Sequence, residues 1–308
     1  MINRVLIRTK VIQLVYAFYQ NGSKSIESAE KELFFSLSKS YDLYNYLLKL
    51  IVDITDYERK TIETRKSRLS IVGVSQNIPT KFIDNRFASQ LSENTQLNKF
   101  FTDQKKTGID SPEYLKSVVK KITESEWYDE YMNSGESSYE EDREFWRKIY
   151  KNILMKDEYL SELLEDMSLY WNDDKDIIDT FVLKTIKRFS EENGAGQKLL
   201  PEFKDEDDKE FAKTLLCNTL KNADEYRTMI NSNVKNWDMD RIAFMDVVIM
   251  QTALAEILSF PTIPVSVSFN EYIELAKLYS TNQSAAFING TLDGIVNQLK
   301  KDGKLIKK

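Results

Sequence analysis

The 308-residue chain contains no histidine and one cysteine, Cys217. The first absence removes the commonest general base and metal ligand. The second excludes an internal disulfide and any cysteine-based metal site, and it points to a cytoplasmic protein. Glycine and proline are scarce, at 9 and 5 residues. Strand-and-turn architecture needs more punctuation than that, so the long amphipathic segments predict an all-α fold. No run of 18 apolar residues is present, which argues against a membrane-spanning helix. The apolar N-terminus MINRVLIRTKVIQLVYAFYQN imitates a signal peptide. Lys10 and Gln13 interrupt it, however, and no small-residue cleavage site follows. It reads as a first core helix.

Acidic residues outnumber basic ones, 49 to 43. The formal net charge is −6, with 30% of residues charged, which argues against indiscriminate nucleic-acid binding. Two short stretches run the other way. Residues 1–10 carry Arg4, Arg8 and Lys10 and no acid, while residues 299–308 carry five lysines against Asp302 alone. Basic ends on an acidic body would confine phosphate contacts to one place. Against that stands the ordinary behaviour of lysine-rich termini, which are solvated tails.

Periodicity predicts helices along almost the whole length. The first spans roughly residues 3–20 and is stopped by Asn21-Gly22-Ser23. A second begins near Ser25, with a break expected around Ser38-Lys39-Ser40, and continues to about Arg68. Its buried face is Leu43, Tyr44, Leu47, Leu48, Ile51, Ile54 and Thr55. Gly73 and Pro79 mark a linker. Several shorter helices follow up to Trp171, one of them opened by Ser111-Pro112. Asp173, Asp174 and Asp176 introduce the next, and Asn193 to Pro201 is the clearest loop. Asp205 to Asp208 place negative charge on a helix start, and that helix is expected to run on toward Ile230. Residues 236–258 form the next helical segment, ended by Pro261 and Pro264. The acidic clusters at Glu140-Glu141-Asp142, Asp173-Asp174 and Asp205 to Asp208 lack the spacing of a calcium loop and read as helix starts. Gly194-Ala195-Gly196 is too short for a phosphate loop. No metal site and no cofactor are expected.

The most specific stretch is VSFNEYIELAKLYSTNQSAAFINGTLD, residues 267–293. Ser268 and Glu271 have the spacing of a capping box. Ile273, Leu275, Ala276 and Leu278 continue a mostly apolar helix, broken at Ser280-Thr281-Asn282. Ser284 is placed to cap a last helix with Ile288, Leu292, Ile295 and Leu299 on one face. Gly290 and Gly294 lie one turn apart in that helix. Each costs about 1 kcal/mol relative to alanine, so a close approach by another backbone or a ligand is expected there.

This stretch resembles the C-terminal signature of the NusB family of transcription antitermination factors. Asn270, Glu271, Glu274, Leu275, Ala276, Lys277, Ser284, Phe287, Asn289, Gly290, Leu292 and Asp293 fall where that signature has them. Trp237, Arg241, Asp246 and Glu256 fit the preceding helix, and Arg4, Arg8, Gln13 and Tyr16 fit an arginine-rich first helix. Met250-Gln251, Ala255, Val5 and Leu6 depart from the pattern, which thins the basic patch. The resemblance covers residues 1–20 and about 205–300. It implies a NusB-like helical bundle with a helical insertion. The corresponding division is N-terminal helices over 1–70, an insertion of unread role over 71–200 and a C-terminal bundle over 201–308.

What the resemblance implies about function is a binding task rather than catalysis. NusB-type proteins bind single-stranded boxA-type RNA of ribosomal RNA transcripts with a small-subunit ribosomal protein acting as NusE, and join the RNA polymerase elongation complex. Carried onto this chain, Arg4, Arg8, Ser284 and Phe287 are the expected RNA-binding residues and Glu256 the expected partner contact. A homodimer is left open. For Phe287 a place in the core is as good a reading as an exposed stacking platform. Glu256 reads equally well as a solvated carboxylate. Two alternatives stand beside this one. The first is a protein–protein adaptor of the same fold without RNA binding. The second is an rRNA methyltransferase-associated domain, which the single cysteine and the end of the chain at Lys308 disfavour.

Overall fold

A computed structural model describes residues 1–22, 25–73, 77–234, 242–281 and 283–305. Among them the regular structure is helical. No strand forms, and one isolated bridge joins Ile2 to Phe203. The helices are α1 (Arg4–Gln20), α2 (Ile26–Ile71), α3 (Arg86–Ser92), α4 (Thr95–Gln104), α5 (Pro112–Thr123), α6 (Glu126–Asn133) and α7 (Tyr139–Asn152). They continue with α8 (Glu158–Met167), α9 (Lys175–Arg188), α10 (Glu206–Lys221), α11 (Ala223–Asn233), α12 (Phe244–Ser259), α13 (Val265–Tyr279) and α14 (Ser284–Lys301). They form two units. One comprises Ile2–Ser38 with Phe203–Lys308, the other Lys39–Glu202 with Met1. The first division therefore falls inside α2, not near residue 70. Residues 39–70 belong with the middle of the chain, because their apolar face is buried there.

The break expected at Ser38-Lys39-Ser40 is absent, and α2 runs unbroken for 46 residues. Both serines are held in helical backbone by side-chain bonds. Ser38 Oγ donates to the Phe35 carbonyl and Ser40 Oγ to Asp174 Oδ2. In the unit of residues 39–202, Tyr44, Leu47, Leu48, Ile51 and Ile54 of α2 are buried. An aromatic cluster fills the space between α6 and α7, with the Tyr131 ring stacked on Phe145 at 4.2 Å and Phe82 against Trp146. Its helices are short but well started. The side chains of Asn85, Asn94, Ser111, Ser125, Ser138 and Asp157 each accept a free backbone N–H at a helix N-terminus. Such caps contribute about 0.5–2 kcal/mol apiece.

One buried carboxylate in this unit carries a pH signature. Asp53 of α2 pairs through Oδ1 with Lys49, while its Oδ2 is buried without a hydrogen-bond partner. Gly108, at φ 96°, lies against it, and a Cβ there would sit 2.7 Å from Oδ2. Burial pushes the Asp53 carboxyl up to about 6, against the opposing pull of Lys49. An unfolded aspartate titrates near 3.9. The folded state therefore holds the extra proton between the two values, and stability falls as pH rises from about 4 through about 6. Asp53→Asn should flatten this slope. Its urea-unfolding free energy relative to the parent should rise by on the order of 1–2 kcal/mol between pH 4 and pH 7. An equal pH dependence in both proteins would refute the assignment.

In the other unit α12 is the central element. Every residue from Asp246 to Ile257 is buried, as expected of a helix that is apolar on nearly all sides. It packs against α1, α10, α11, α13 and α14. Asn3 caps α1 by accepting from the Leu6 N–H, and Asp205 caps α10 through the Asp208 N–H. The single helix expected from Asp205 toward Ile230 is interrupted at Asn222, which separates α10 from α11. Trp237 and Arg241 lie outside the described residues. No described helix is long and apolar enough to cross a membrane.

Candidate nucleic-acid interface

The residues singled out by sequence fall into two places within the bundle of residues 2–38 and 203–308. The first is a buried polar hub. Glu256 of α12 has no solvent exposure, and the Arg8 side chain of α1 is 4% exposed. Arg8 donates Nε to Glu256 Oε2 at 2.7 Å and Nη2 to Oε1 at 3.0 Å, a two-pronged pairing. Its Nη1 donates to Glu271 Oε2 at 3.2 Å. Ser268 Oγ donates to Glu256 Oε1 at 2.7 Å and Tyr272 OH to Oε2 at 3.1 Å. Burial alone would lower the Arg8 pKa, but the hydrogen bond and charge of Glu256 outweigh it and hold it raised. Burial, then the charge of Glu256, pushes the Tyr272 hydroxyl well up.

This hub corrects three expectations. Arg8 faces inward and is occupied, so the pair of phosphate-contacting arginines reduces to Arg4. Glu256 is enclosed and presents nothing to a partner protein. The Ser268/Glu271 spacing is not a capping box, because α13 begins a turn earlier. Pro264 precedes it, needing no N–H acceptor and already holding φ −58°. Ser268 and Glu271 instead face Glu256 and Arg8. Arg4 remains partly exposed on α1, 3.5 Å from Asp208 and 4.9 Å from the Phe211 ring.

The second place is the junction of α12, α13 and α14. Asp246 of α12 is buried and accepts from Ser280 Oγ and, at 2.8 Å, from Ser284 Oγ. Ser284 Oγ in turn accepts from the Thr281 N–H at 3.2 Å. Ser284 is thus the first residue of α14, and its hydroxyl ties the turn to α12. Beside it lies a hollow of about 150 Å³ lined by Ile242, Ala243, Asp246, Thr281, Gln283, Ser284 and Phe287. Phe287 is half-buried on one wall, and Thr281 and Gln283 are exposed at the rim. The volume is below that of a drug-sized site and suits one planar ring. An aromatic wall with an amide and a hydroxyl at its edge can stack a base and hydrogen-bond to it.

The paired glycines do not behave alike. A Cβ on Gly294 would lie 3.2 Å from Asn233 Oδ1 of α11, so the close approach there is a side chain. Gly290 is exposed with open space around it, and nothing in the structure explains it. Sequence reasoning missed the roles of Asp246 and of Ser268 and Tyr272. The one available signal was local: Ser268, Glu271 and Tyr272 share a helix face at spacings of three and four.

Comparison with known proteins places these features in a family. A model described as the NusB family matches residues 177–297. The transcription antitermination protein NusB of Salinibacter ruber is 35% identical over 132 residues, covering 41% of this chain and 82% of the relative. The protein of the same name from Chloroherpeton thalassium is 38% identical over 99 residues, covering 32% of this chain and 47% of the relative. That of Natranaerobius thermophilus is 39% identical over 92 residues, or 30% and 66%. No solved structure matches the chain.

Proposed function

The chain belongs to the NusB family, and from that premise we propose that it is a transcription antitermination factor acting in the cytoplasm. It binds single-stranded boxA-type RNA of ribosomal RNA transcripts together with the small-subunit ribosomal protein that serves as NusE, and the pair joins elongating RNA polymerase. The observation that carries this reading is the hollow beside Phe287, which combines an aromatic wall with a polar rim and lies within the family-matched residues. Arg4, the first residue of α1 and partly exposed beside Asp208, supplies the phosphate contact that Arg8 does not. With one such arginine on α1, the chain alone binds RNA weakly and the ribosomal protein supplies further surface.

A second reading, an adaptor of the same fold without RNA binding, draws support from the enclosure of Arg8. Fluorescence anisotropy with a boxA-type RNA and a scrambled RNA separates the two. The chain alone should bind boxA weakly and with strong salt dependence. Adding the ribosomal protein should tighten boxA binding by roughly tenfold or more, as joined binding surfaces do. Equal affinity for boxA and scrambled RNA in both states would leave the adaptor reading.

A further inference from the structure

A hollow of about 440 Å³ opens between α6 and α7, within the unit of residues 39–202. It lies outside the residues that the family model matches. Trp127, Tyr131 and Phe145 form its apolar side, and five glutamates and Lys148 stand around them. Three of the glutamates are already neutralised. Glu130 pairs with Lys148, Glu141 with Lys81, and Glu144 through both oxygens with Arg147. Glu136 and Glu140 are exposed and pair with no cation among the described residues. The dipole of α7 accounts for Glu140, which sits in its first turn, but not for Glu136 in the loop before it. That loop is held firmly. Ser138 Oγ donates to Glu136 Oε1 at 2.7 Å while accepting the Glu141 N–H that it caps. Lys81 Nζ donates to the Tyr131 and Glu136 carbonyls at 2.7 and 3.0 Å. Trp127 is half-buried, and its indole makes neither a hydrogen bond nor a ring contact among the described residues. Tyr131 and Phe145, by contrast, stack on each other.

We infer that this hollow receives an arginine side chain of a partner polypeptide. Two carboxylates without a counter-charge select a cation. The unoccupied indole face selects a cation with a flat, delocalised head. A guanidinium stacks on an indole and forks onto carboxylates, whereas an ammonium is a compact, strongly hydrated point charge. A metal ion fits less well, since no group of three or more ligating side chains among the described residues is placed to hold one. The source of the guanidinium follows from the shape of the site. The hollow is open to solvent with Glu136 and Glu140 exposed at its edge, so a free small cation would recover little of the freedom it loses on binding. A side chain carried by a polypeptide shares that cost with the contacts around it. The hydrogen bonds of Ser138 and Lys81 set the loop in advance, which lowers the cost of ordering it further. Neither the residues nor the ligand depend on the antitermination reading.

Anisotropy titrations of the full chain at about 150 mM salt use a labelled glycine–serine peptide with interspersed arginines, and the same peptide with lysines in their place. The arginine peptide should bind roughly threefold or more tightly than the lysine peptide. Glu136→Gln with Glu140→Gln should weaken it roughly tenfold, the loss expected when charge-assisted bonds go. Trp127→Leu keeps apolar volume without the indole face and should weaken it roughly two- to fivefold. Trp127→Phe keeps a ring face and should retain most of the affinity. Glu162→Gln with Glu165→Gln makes the same charge change on the exposed side of α8 and should leave affinity within about twofold, since screened charges at a distance contribute little. All the substituted side chains are exposed or half-buried, so circular dichroism should be unchanged. An equal loss in the α8 variant would reduce the binding to bulk charge and overturn the inference. Equal affinity for the two peptides would overturn it too, as would a Trp127→Leu chain that binds like the parent.

Discussion

Glu256→Ala should destabilise the bundle of residues 2–38 and 203–308 by about 3–5 kcal/mol, the cost of breaking a buried ion pair from one side. The reason is the state in which the substitution leaves Arg8. Its guanidinium is enclosed between α1 and α12, with one further carboxylate, Glu271, within reach of a single nitrogen. The substitution also strips Ser268 and Tyr272 of their acceptor, adding buried donors without partners. Glu256→Gln keeps the shape and one accepting oxygen, and should cost less. Amide hydrogen exchange in α12 and α13 reads the loss directly, without requiring the two units to unfold together.

The same pair gives a sharper result when both partners are replaced. Arg8→Met with Glu256→Leu removes both charges and fills the space with apolar atoms, and should recover most of the stability lost by Glu256→Ala. A double variant as unstable as the single one would mean that the hub matters for its geometry around Ser268 and Tyr272, not for charge balance. Recovery of stability together with unchanged boxA binding would place Arg8 wholly on the structural side. A fall in RNA affinity with stability restored would return it to the binding surface.

The hub also shows what sequence can and cannot reveal here. The helices of both units were legible because their signals are local. Asn3 and Asp205 are capping side chains next to apolar periodicity, and Ser111-Pro112 marks a helix start that the structure repeats at the same residues. The failures have non-local causes. Arg8 and Glu256 stand 248 residues apart, so no window contains both, and an arginine near a helix start reads as solvent-facing until its partner is seen. The Ser268 spacing misled because Pro264, a stronger start signal, stood four residues earlier. The serines at 38 and 40 looked like a break because serine competes for backbone bonds, yet here their hydroxyls bond without leaving the helix.

Phe287→Ala decides whether the hollow at the α12–α13–α14 junction binds RNA. A stacked base contributes about 1–3 kcal/mol when tested by alanine substitution, so boxA affinity should fall roughly tenfold to a hundredfold. The ring is only half-buried, and its neighbours Ile288 and Leu292 on the inner face of α14 are buried without it. Loss of folding stability should therefore stay well short of the 3–5 kcal/mol that emptying a core phenylalanine site costs. Phe287→Tyr keeps the ring face and should retain most of the affinity, while Phe287→Leu keeps apolar volume without a flat face and should lose it. A leucine variant that binds boxA as well as the parent would show that the wall acts by bulk, and the base would have to be held by Gln283 and Thr281 at the rim. A large drop in melting temperature for the alanine variant would instead make Phe287 part of the core. The turn built on Asp246 and Ser284 would then serve the fold alone.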